Sequence, residues 1–432
     1  MINNIKGTID LYNKKYKIIK YIINIIKYQL KLLGYTPIKT PSIEYKKILN
    51  NNVNFNNKII YNINNNKFLI FDLTIPLIRF LLKNYNNIIF PFRRYQIQKV
   101  WRGEKPQKNR YREFYQLDID IITFKRDNKY FLELELINLC DVIFYKLNID
   151  VILLINDKNI LYGLSNLFKI NINKREKFFI YIDKINKLGI YKIINILIKK
   201  KILLKKYKKK ILNIFNINKK YNNNKKLKYF KKIFKNISIG LIGIKNLYNL
   251  FKLINKIKFI NIKIKINFFL SRGLNYYNKI IFEIISNKNK NISLLGGGRY
   301  DNYIKLNNKN TYYIGMSFGI YRLYNLVKNN TNIFGPKMIK VLFINLYYNY
   351  IYIYKYRYIL NRYKIINEIY PYYDKIKKQI KYSIKKKIYF LIFLGKKEIK
   401  NNIIKLKNLK IKKEYKFKNI KKLIIYLKNN YK

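Results

Sequence analysis

One stretch carries most of what the chain says about itself: Trp101-Arg102-Gly103-Glu104-Lys105-Pro106-Gln107-Lys108-Asn109-Arg110-Tyr111-Arg112-Glu113-Phe114-Tyr115-Gln116-Leu117-Asp118-Ile119-Asp120. It lies within residues 68–125, where strand-like runs alternate with a cluster of arginines. Read as two strands joined by a loop, it puts Arg102 at one strand end and Arg110 and Arg112 just past the loop. Their guanidinium groups can then converge on a polyphosphate. Phe114 can stack on a purine. Gln116 and Asp120 are four apart and on a strand share one face.

The arginines are informative because the chain rarely uses them. Lys and Arg together number 92, of which 13 are Arg and 79 Lys; Ala is absent, and Ile, Lys, Asn and Tyr dominate. This bias follows AT-rich codons. A position where any cation serves is therefore expected to be Lys, and an Arg that persists is expected to need its planar fork. Six of the 13 fall within residues 93–126: Arg93, Arg94, Arg102, Arg110, Arg112 and Arg126. Glycine forms a second cluster, with Gly273, Gly296, Gly297, Gly298, Gly315 and Gly319 in one short region.

Asp and Glu number only 21, giving a formal net charge of +71. Such a balance suits a nucleic-acid partner, although the codon bias would accumulate Lys without one. One Cys excludes an intrachain disulfide and a Cys-rich metal or iron–sulfur centre, and no dedicated metal motif is visible. The absence of His removes Ser–His and Cys–His nucleophile pairs and imidazole acid–base chemistry. Any reaction must run on carboxylates, Arg, Lys, Tyr, backbone groups or the substrates' own atoms. The start, Met1–Tyr12, is polar, and the longest apolar runs, such as Ile388–Leu394, are far too short for a bilayer. A soluble, cytoplasmic protein without membrane contact is expected.

At 432 residues, two or three domains are expected. Ile18, Ile22, Ile25, Ile26, Leu30 and Leu33 follow helical spacing, with Gly34 placed to end the helix. Residues 34–44 read as extended, and Tyr130–Leu147 as a helix. From about 165 to 262 the chain is loaded with Lys and Asn on helix-like apolar spacing, the mark of an inserted helical module whose Lys runs, such as Lys205–Lys210, read as solvated faces. Phe268–Ile285 has strand composition, Gly296-Gly297-Gly298 reads as a tight turn, and Ile314–Val327 runs from strand into helix. Gly335-Pro336 reads as a linker. Beyond it, strand-like Val341–Leu346, a helical stretch, amphipathic Lys375–Lys387 and strand-like Ile388–Leu394 suggest a small α/β domain.

The quoted stretch resembles motif 2 of class II aminoacyl-tRNA synthetases. Gly34-Tyr35-Thr36-Pro37-Ile38-Lys39-Thr40-Pro41-Ser42-Ile43-Glu44 is similar to motif 1, whose proline lies at the dimer interface in that class. Gly315-Met316-Ser317-Phe318-Gly319-Ile320-Tyr321-Arg322 resembles motif 3, with Tyr321 where members usually carry Glu. Ser271-Arg272-Gly273-Leu274-Asn275-Tyr276-Tyr277 and Gly296-Gly297-Gly298-Arg299-Tyr300-Asp301 resemble the two signatures of the histidyl-tRNA synthetase family, with Asn275 in place of Asp. Asp72-Leu73-Thr74 upstream and Ile376-Lys377-Lys378-Gln379 downstream fall in family order, so the resemblance covers nearly the whole chain.

The resemblance implies an α+β fold. A class II catalytic domain, an antiparallel sheet flanked by helices, would occupy residues 1–330, with the helical insertion at about 165–262, and an α/β anticodon-binding domain residues 337–432. It implies ATP-dependent ligation of L-histidine to histidine tRNA through a histidyl-adenylate, with Mg²⁺, in a homodimer. By position, Arg102 and Arg272 would act at the carboxylate and α-phosphate. Glu104, Arg110, Arg112, Phe114 and Arg322 would join Arg102 in holding ATP. Asp72, Leu73, Thr74 and Gln116 would take the α-ammonium end of histidine. Asp120 and Tyr277 would address the ring nitrogens, with Tyr276 walling the pocket, and Gln107 would meet the acceptor end of the tRNA. Two other readings compete: a catalytically silent paralogue acting as regulatory subunit of ATP phosphoribosyltransferase, and another class II synthetase. Retention of Arg102, Arg272, Arg322 and the C-terminal domain argues against the first, and the paired Tyr with Gly-Gly-Gly-Arg-Tyr-Asp against the second.

Overall fold

Alternating apolar and polar residues along Arg93–Ile122 build the strands that organise the first half of the chain. The computed structural model describes residues 2–51, 59–64, 66–107, 110–127, 130–271, 277–288, 292–303, 305–306, 309–328, 339–346 and 350–430. The chain divides into two compact units, Met1–Ile333 and Phe334–Lys432.

The first unit holds strands β1 (Thr36–Ile38), β2 (Ile43–Tyr45), β3 (Tyr61–Asn64), β4 (Lys67–Leu69), β5 (Phe92–Trp101), β6 (Glu113–Thr123), β7 (Val151–Asp157), β8 (Ile262–Ile266), β9 (Ile280–Ser286), β10 (Ser293–Arg299) and β11 (Tyr312–Gly319). Its main sheet runs β1-β5-β6-β11-β10-β9-β7-β8, and β2-β4-β3 form a small second sheet. The main sheet is antiparallel from β5 to β7, and only its edges, β1 on β5 and β8 on β7, pair in parallel. Register sets the site: Gln116, Asp118 and Asp120 lie opposite Gln98, Gln96 and Arg94 on one side and Gly319, Ser317 and Gly315 on the other.

Helix α1 (Asn13–Leu32) lays Ile18, Ile22, Ile26 and Leu30 into a core shared with Leu117, Ile119 and Ile121 of β6. Gly34 follows it at φ +72°, a conformation that favours glycine. Helix α2 (Thr74–Asn84) stands inside the region read as strands and arginines; α3 (Phe131–Lys146) lies where the sequence puts a helix. Helices α4 to α10 (Lys158–Leu167, Arg175–Asp183, Ile185–Leu188, Ile190–Lys199, Lys208–Lys220, Asn223–Ile233 and Ser238–Ile254) fill residues 158–254, and α11 (Ile320–Val327) follows β11 directly.

Two local expectations are corrected. Gly296-Gly297-Gly298 is no turn but the middle of β10. A Cβ on Gly297 would lie 2.3 Å from the Gly315 carbonyl oxygen, so the glycines serve close strand approach. Of the described residues in Phe268–Ile285, those from Ile280 onward are strand. Before it, Asn156 Nδ2 donates to the Phe268 and Leu270 carbonyls at 3.2 and 2.9 Å, pinning that backbone in a turn.

The second unit orders its sheet β13-β12-β14-β15-β16: β12 (Lys340–Phe343), β13 (Ile366–Ile369), β14 (Phe390–Phe393), β15 (Ile404–Asn408) and β16 (Lys413–Phe417). Strands β12 to β14 are parallel and the last two antiparallel. Helices α12 (Tyr350–Arg362), α13 (Ile376–Lys385), α14 (Lys396–Lys400) and α15 (Ile420–Asn429) complete it. Gln379 is fully buried and bonds both backbone groups of Asn345, a structural tie. Gly335-Pro336 lies outside the described residues.

Candidate active site

The site lies on the face of β6 that carries Gln116, Asp118 and Asp120. At one end, the Trp101 amide donates to the Ile70 carbonyl at 2.8 Å, bringing the start of α2 onto the end of β5. There Asp72 is buried; its Oδ1 accepts from the Ile75 amide at 3.2 Å, while Oδ2 has no hydrogen-bond partner among the described residues. Burial, with help from the Asp118 carboxylate, pushes Asp72 up to about 6 against the pull of its backbone donors and Arg102. Arg102 donates from Nε to the Phe71 carbonyl at 3.0 Å and from Nη2 to Gln116 Oε1 at 3.1 Å. Its guanidinium stands 5.0 Å from the Phe114 ring centre. Gln116 in turn donates to both oxygens of Asp118 at 3.0 and 3.1 Å. Leu73 and Thr74 are buried at the start of α2. A buried, unpartnered carboxylate oxygen beside a forked cation and a second carboxylate fits the ammonium and carboxylate of an amino acid.

At the other end, Asp120 is engaged by protein groups. Its Oδ2 pairs with Arg94 Nη2 at 2.5 Å, and its Oδ1 accepts from the Tyr300 hydroxyl. Burial, and the neighbouring Asp118, raise Asp120 to about 6, against Arg94 and Tyr300. Tyr277 is buried, its ring edge-on to Tyr300 at 6.2 Å. Gly315 leaves room for Asp120, since a Cβ there would lie 1.9 Å from Oδ1.

The phosphate-facing expectations fall on the loop after β5. Arg110 is ion-paired with Glu104, and Arg112 Nε donates to the Glu104 carbonyl at 3.2 Å. Paired backbone bonds join Gln107 and Arg110 (3.2 and 2.9 Å), so Gln107 sits exposed at the loop tip. Arg322, on α11, donates to the Ser293 carbonyl at 2.7 Å, its chain packed against Gly319. Tyr321, which takes the place of the usual acid, is buried with its ring 5.1 Å from that of Tyr111. Arg272 and Tyr276 lie outside the described residues.

The structure thus brings Asp72, Arg102, Phe114 and Gln116 together, and Asp120 with Tyr277 around Tyr300. Sequence reasoning missed Asp118, Arg94 and Tyr300. Asp118 was available from the alternation that joins Gln116 to Asp120, and Arg94 from its place in the arginine cluster. Tyr300 stood in the Gly-Gly-Gly-Arg-Tyr-Asp segment, but its bond to Asp120, 180 residues away, carried no signal, because only the strand order folds it back onto β6.

Solved structures share this fold. A histidyl-tRNA synthetase from Nostoc sp. PCC 7120 matches with a TM-score of 0.78 at 22% identity, covering 99% of this chain and 100% of its own. An ATP phosphoribosyltransferase regulatory subunit/histidyl-tRNA synthetase from Bacillus halodurans C matches at 0.71 and 16%, covering 91% and 98%. The likeness to these structures is one of fold; the class, that of the class II aminoacyl-tRNA synthetases, is shown by the family match. Residues 7–323 match the family model for histidyl-tRNA synthetase, and residues 351–430 that for an anticodon binding domain. Histidine–tRNA ligases of Azobacteroides pseudotrichonymphae and Christiangramia forsetii are 33% and 32% identical; the alignments cover 94% of this chain in both cases and 93% and 94% of those proteins. The chain belongs to the histidyl-tRNA synthetase family.

Proposed function

We propose that the protein joins L-histidine to histidine tRNA at the expense of ATP, through a histidyl-adenylate. The observation that carries this reading is the buried Oδ2 of Asp72, without a hydrogen-bond partner among the described residues, beside Arg102, Gln116 and Asp118, a seat for an α-ammonium next to a guanidinium able to grip a carboxylate or α-phosphate. Histidine's carboxylate attacks the α-phosphate and pyrophosphate leaves; the terminal ribose hydroxyl of the tRNA then displaces AMP. The first nucleophile is already ionised, which suits a chain without His. Catalysis then rests on fixed donors where negative charge develops.

In this reading Arg102 and Arg272 meet the carboxylate and α-phosphate, Phe114 stacks on adenine, and Arg110, Arg112 and Arg322 hold the remaining phosphates. Arg110 would exchange its present partner Glu104 for phosphate oxygens. Asp120 and Tyr277 read the imidazole, and Tyr276 closes the pocket. Gln107 meets the tRNA acceptor end, and the second unit reads the anticodon by stacking and edge contacts. Glu104 and Glu113 are already held, by Arg110 and by Lys99 with Trp101. The residues therefore fit a Mg²⁺ carried on the nucleotide's phosphates rather than caged by protein. Residues 34–44 would form the homodimer contact. The cell compartment proposed is the cytoplasm; no helix among the described residues is long and apolar enough to cross a membrane.

The test is amino-acid-dependent exchange of labelled pyrophosphate into ATP. Exchange with histidine alone is expected. Exchange with a different amino acid, or with none, would overturn the reading, the latter in favour of a silent paralogue.

A further inference from the structure

Beneath the ring end of the site lies a cation to which the sequence reading gave no role. Arg94 is fully buried, on β5, directly across from Asp120 on β6. One guanidinium nitrogen pairs with Asp120 Oδ2 at 2.5 Å, and the other terminal nitrogen donates to Gln96 Oε1 at 3.3 Å. Gln96 donates to Thr40 Oγ1 at 2.8 Å and to Gln98 Oε1 at 2.9 Å, and Gln98 donates to the Thr40 carbonyl at 2.9 Å and to Ser42 Oγ at 3.1 Å. The guanidinium is thus aimed by a row of amides anchored on the segment between β1 and β2. In a chain with 79 Lys and 13 Arg, such a two-pronged, fully buried placement explains why this position keeps Arg.

The row matters because β6 places two carboxylates, Asp118 and Asp120, on one buried face. Like charges so close cannot both stay ionised out of water unless a cation offsets them. Among the described residues, the groups acting on Asp120 come from several elements: Arg94 on β5, Asp118 on β6, Tyr300 after β10, and Tyr313 on β11 and Tyr35 before β1 through longer-range interactions. Of these, Arg94 is the cation.

We propose that Arg94 is a positioning residue: by pairing with one oxygen of Asp120 from beneath, it keeps that carboxylate anionic and turned so that the pocket selects an amino acid whose ring offers an N–H. Tyr300 steadies the other oxygen. The inference rests on the histidine-activating reading above. Arg94 itself touches no substrate.

The experiment is histidine-dependent pyrophosphate exchange by the full chain and its R94M and R94K variants, as a function of pH, with fold checked by circular dichroism. For R94M the KM for histidine is expected to rise about tenfold or more, and the acid limb of kcat/KM for histidine to move up by about one pH unit, as a carboxyl loses the cation that held its proton off. The KM for ATP is expected to stay within about twofold, since Arg94 lies under the ring end. R94K, which keeps the charge, is expected to hold the acid limb at its parental position. A folded R94M with unchanged histidine KM and an unmoved limb would overturn the proposal, as would equal losses toward ATP and histidine. Should R94M not fold, R94K decides: a parental limb supports the role, and a limb displaced as for a lost charge overturns it. Absence of exchange by the parent chain would strike the activity reading, whereas normal exchange by the parent with an indifferent R94M strikes only this one.

Discussion

Asp72 shows how a functional residue can oppose stability. Its carboxyl sits at about 6 in the folded chain against an ordinary 3.8. The native state therefore binds this proton more tightly than the unfolded chain, and ionisation weighs against folding as pH rises from about 4 through 6. Asp72→Asn removes that cost. At pH 8 the variant is expected to be more stable than the parent by about 1–3 kcal/mol, the gap closing toward pH 4. Denaturant melts at both pH values measure this. The same variant is expected to lose most histidine-dependent exchange, because a neutral amide cannot offset the ammonium. A substituted chain that is less stable at pH 8 would show that Asp72 has stabilising partners in the fold.

At the scale of elements, the site depends on glycines at positions where the neighbouring strand leaves no room for a Cβ. Gly315→Ala is expected to displace Asp120, whose Oδ1 would lie 1.9 Å from the new Cβ. The expected result is a raised KM for histidine and a loss of about 1–3 kcal/mol in stability, read by exchange kinetics and thermal melting. The insertion acts on the opposite edge of the sheet. Asn223 on α9 accepts from the Ile266 amide at 2.9 Å and donates to the Ile264 carbonyl at 3.0 Å, and Lys226 Nζ donates to the Ile266 carbonyl at 2.6 Å. These side chains close an edge strand that would otherwise present open backbone groups. Asn223→Ala should cost about 1–3 kcal/mol and speed hydrogen exchange at the Ile266 amide, while distant amides in β6 keep their protection.

At the scale of the whole molecule, +71 charges meet a polyanionic substrate. Affinity for histidine tRNA is expected to fall by at least about tenfold between roughly 50 and 200 mM salt. A filter-binding series checks this, and a flat response would mean that the lysines follow codon bias and touch little RNA. The main sheet's order also explains why parts of the site were legible and parts were not. Gln116, Asp120 and Arg102 could be placed from the sequence because strand alternation and a short loop fix them locally. Gly296-Gly297-Gly298 was misread because a glycine run has the same composition in a turn and in a crowded strand; only the approach of β11 distinguishes them. Helix α2 was hidden among the arginines and strand-like runs around it.

The sequence by itself determined the family, the sheet-and-insertion plan and the list of rare, forked cations, because codon bias made clustered Arg and Gly stand out against Lys and Asn. Tertiary structure decided which of those groups share a pocket. The pairings of Asp120 with Arg94 and Tyr300 arise from β6 lying between β5 and β11, with the residue that follows β10 reaching Asp120. Contacts across 180 residues of chain have no local signature, since the energy that makes them belongs to the buried sheet as a whole.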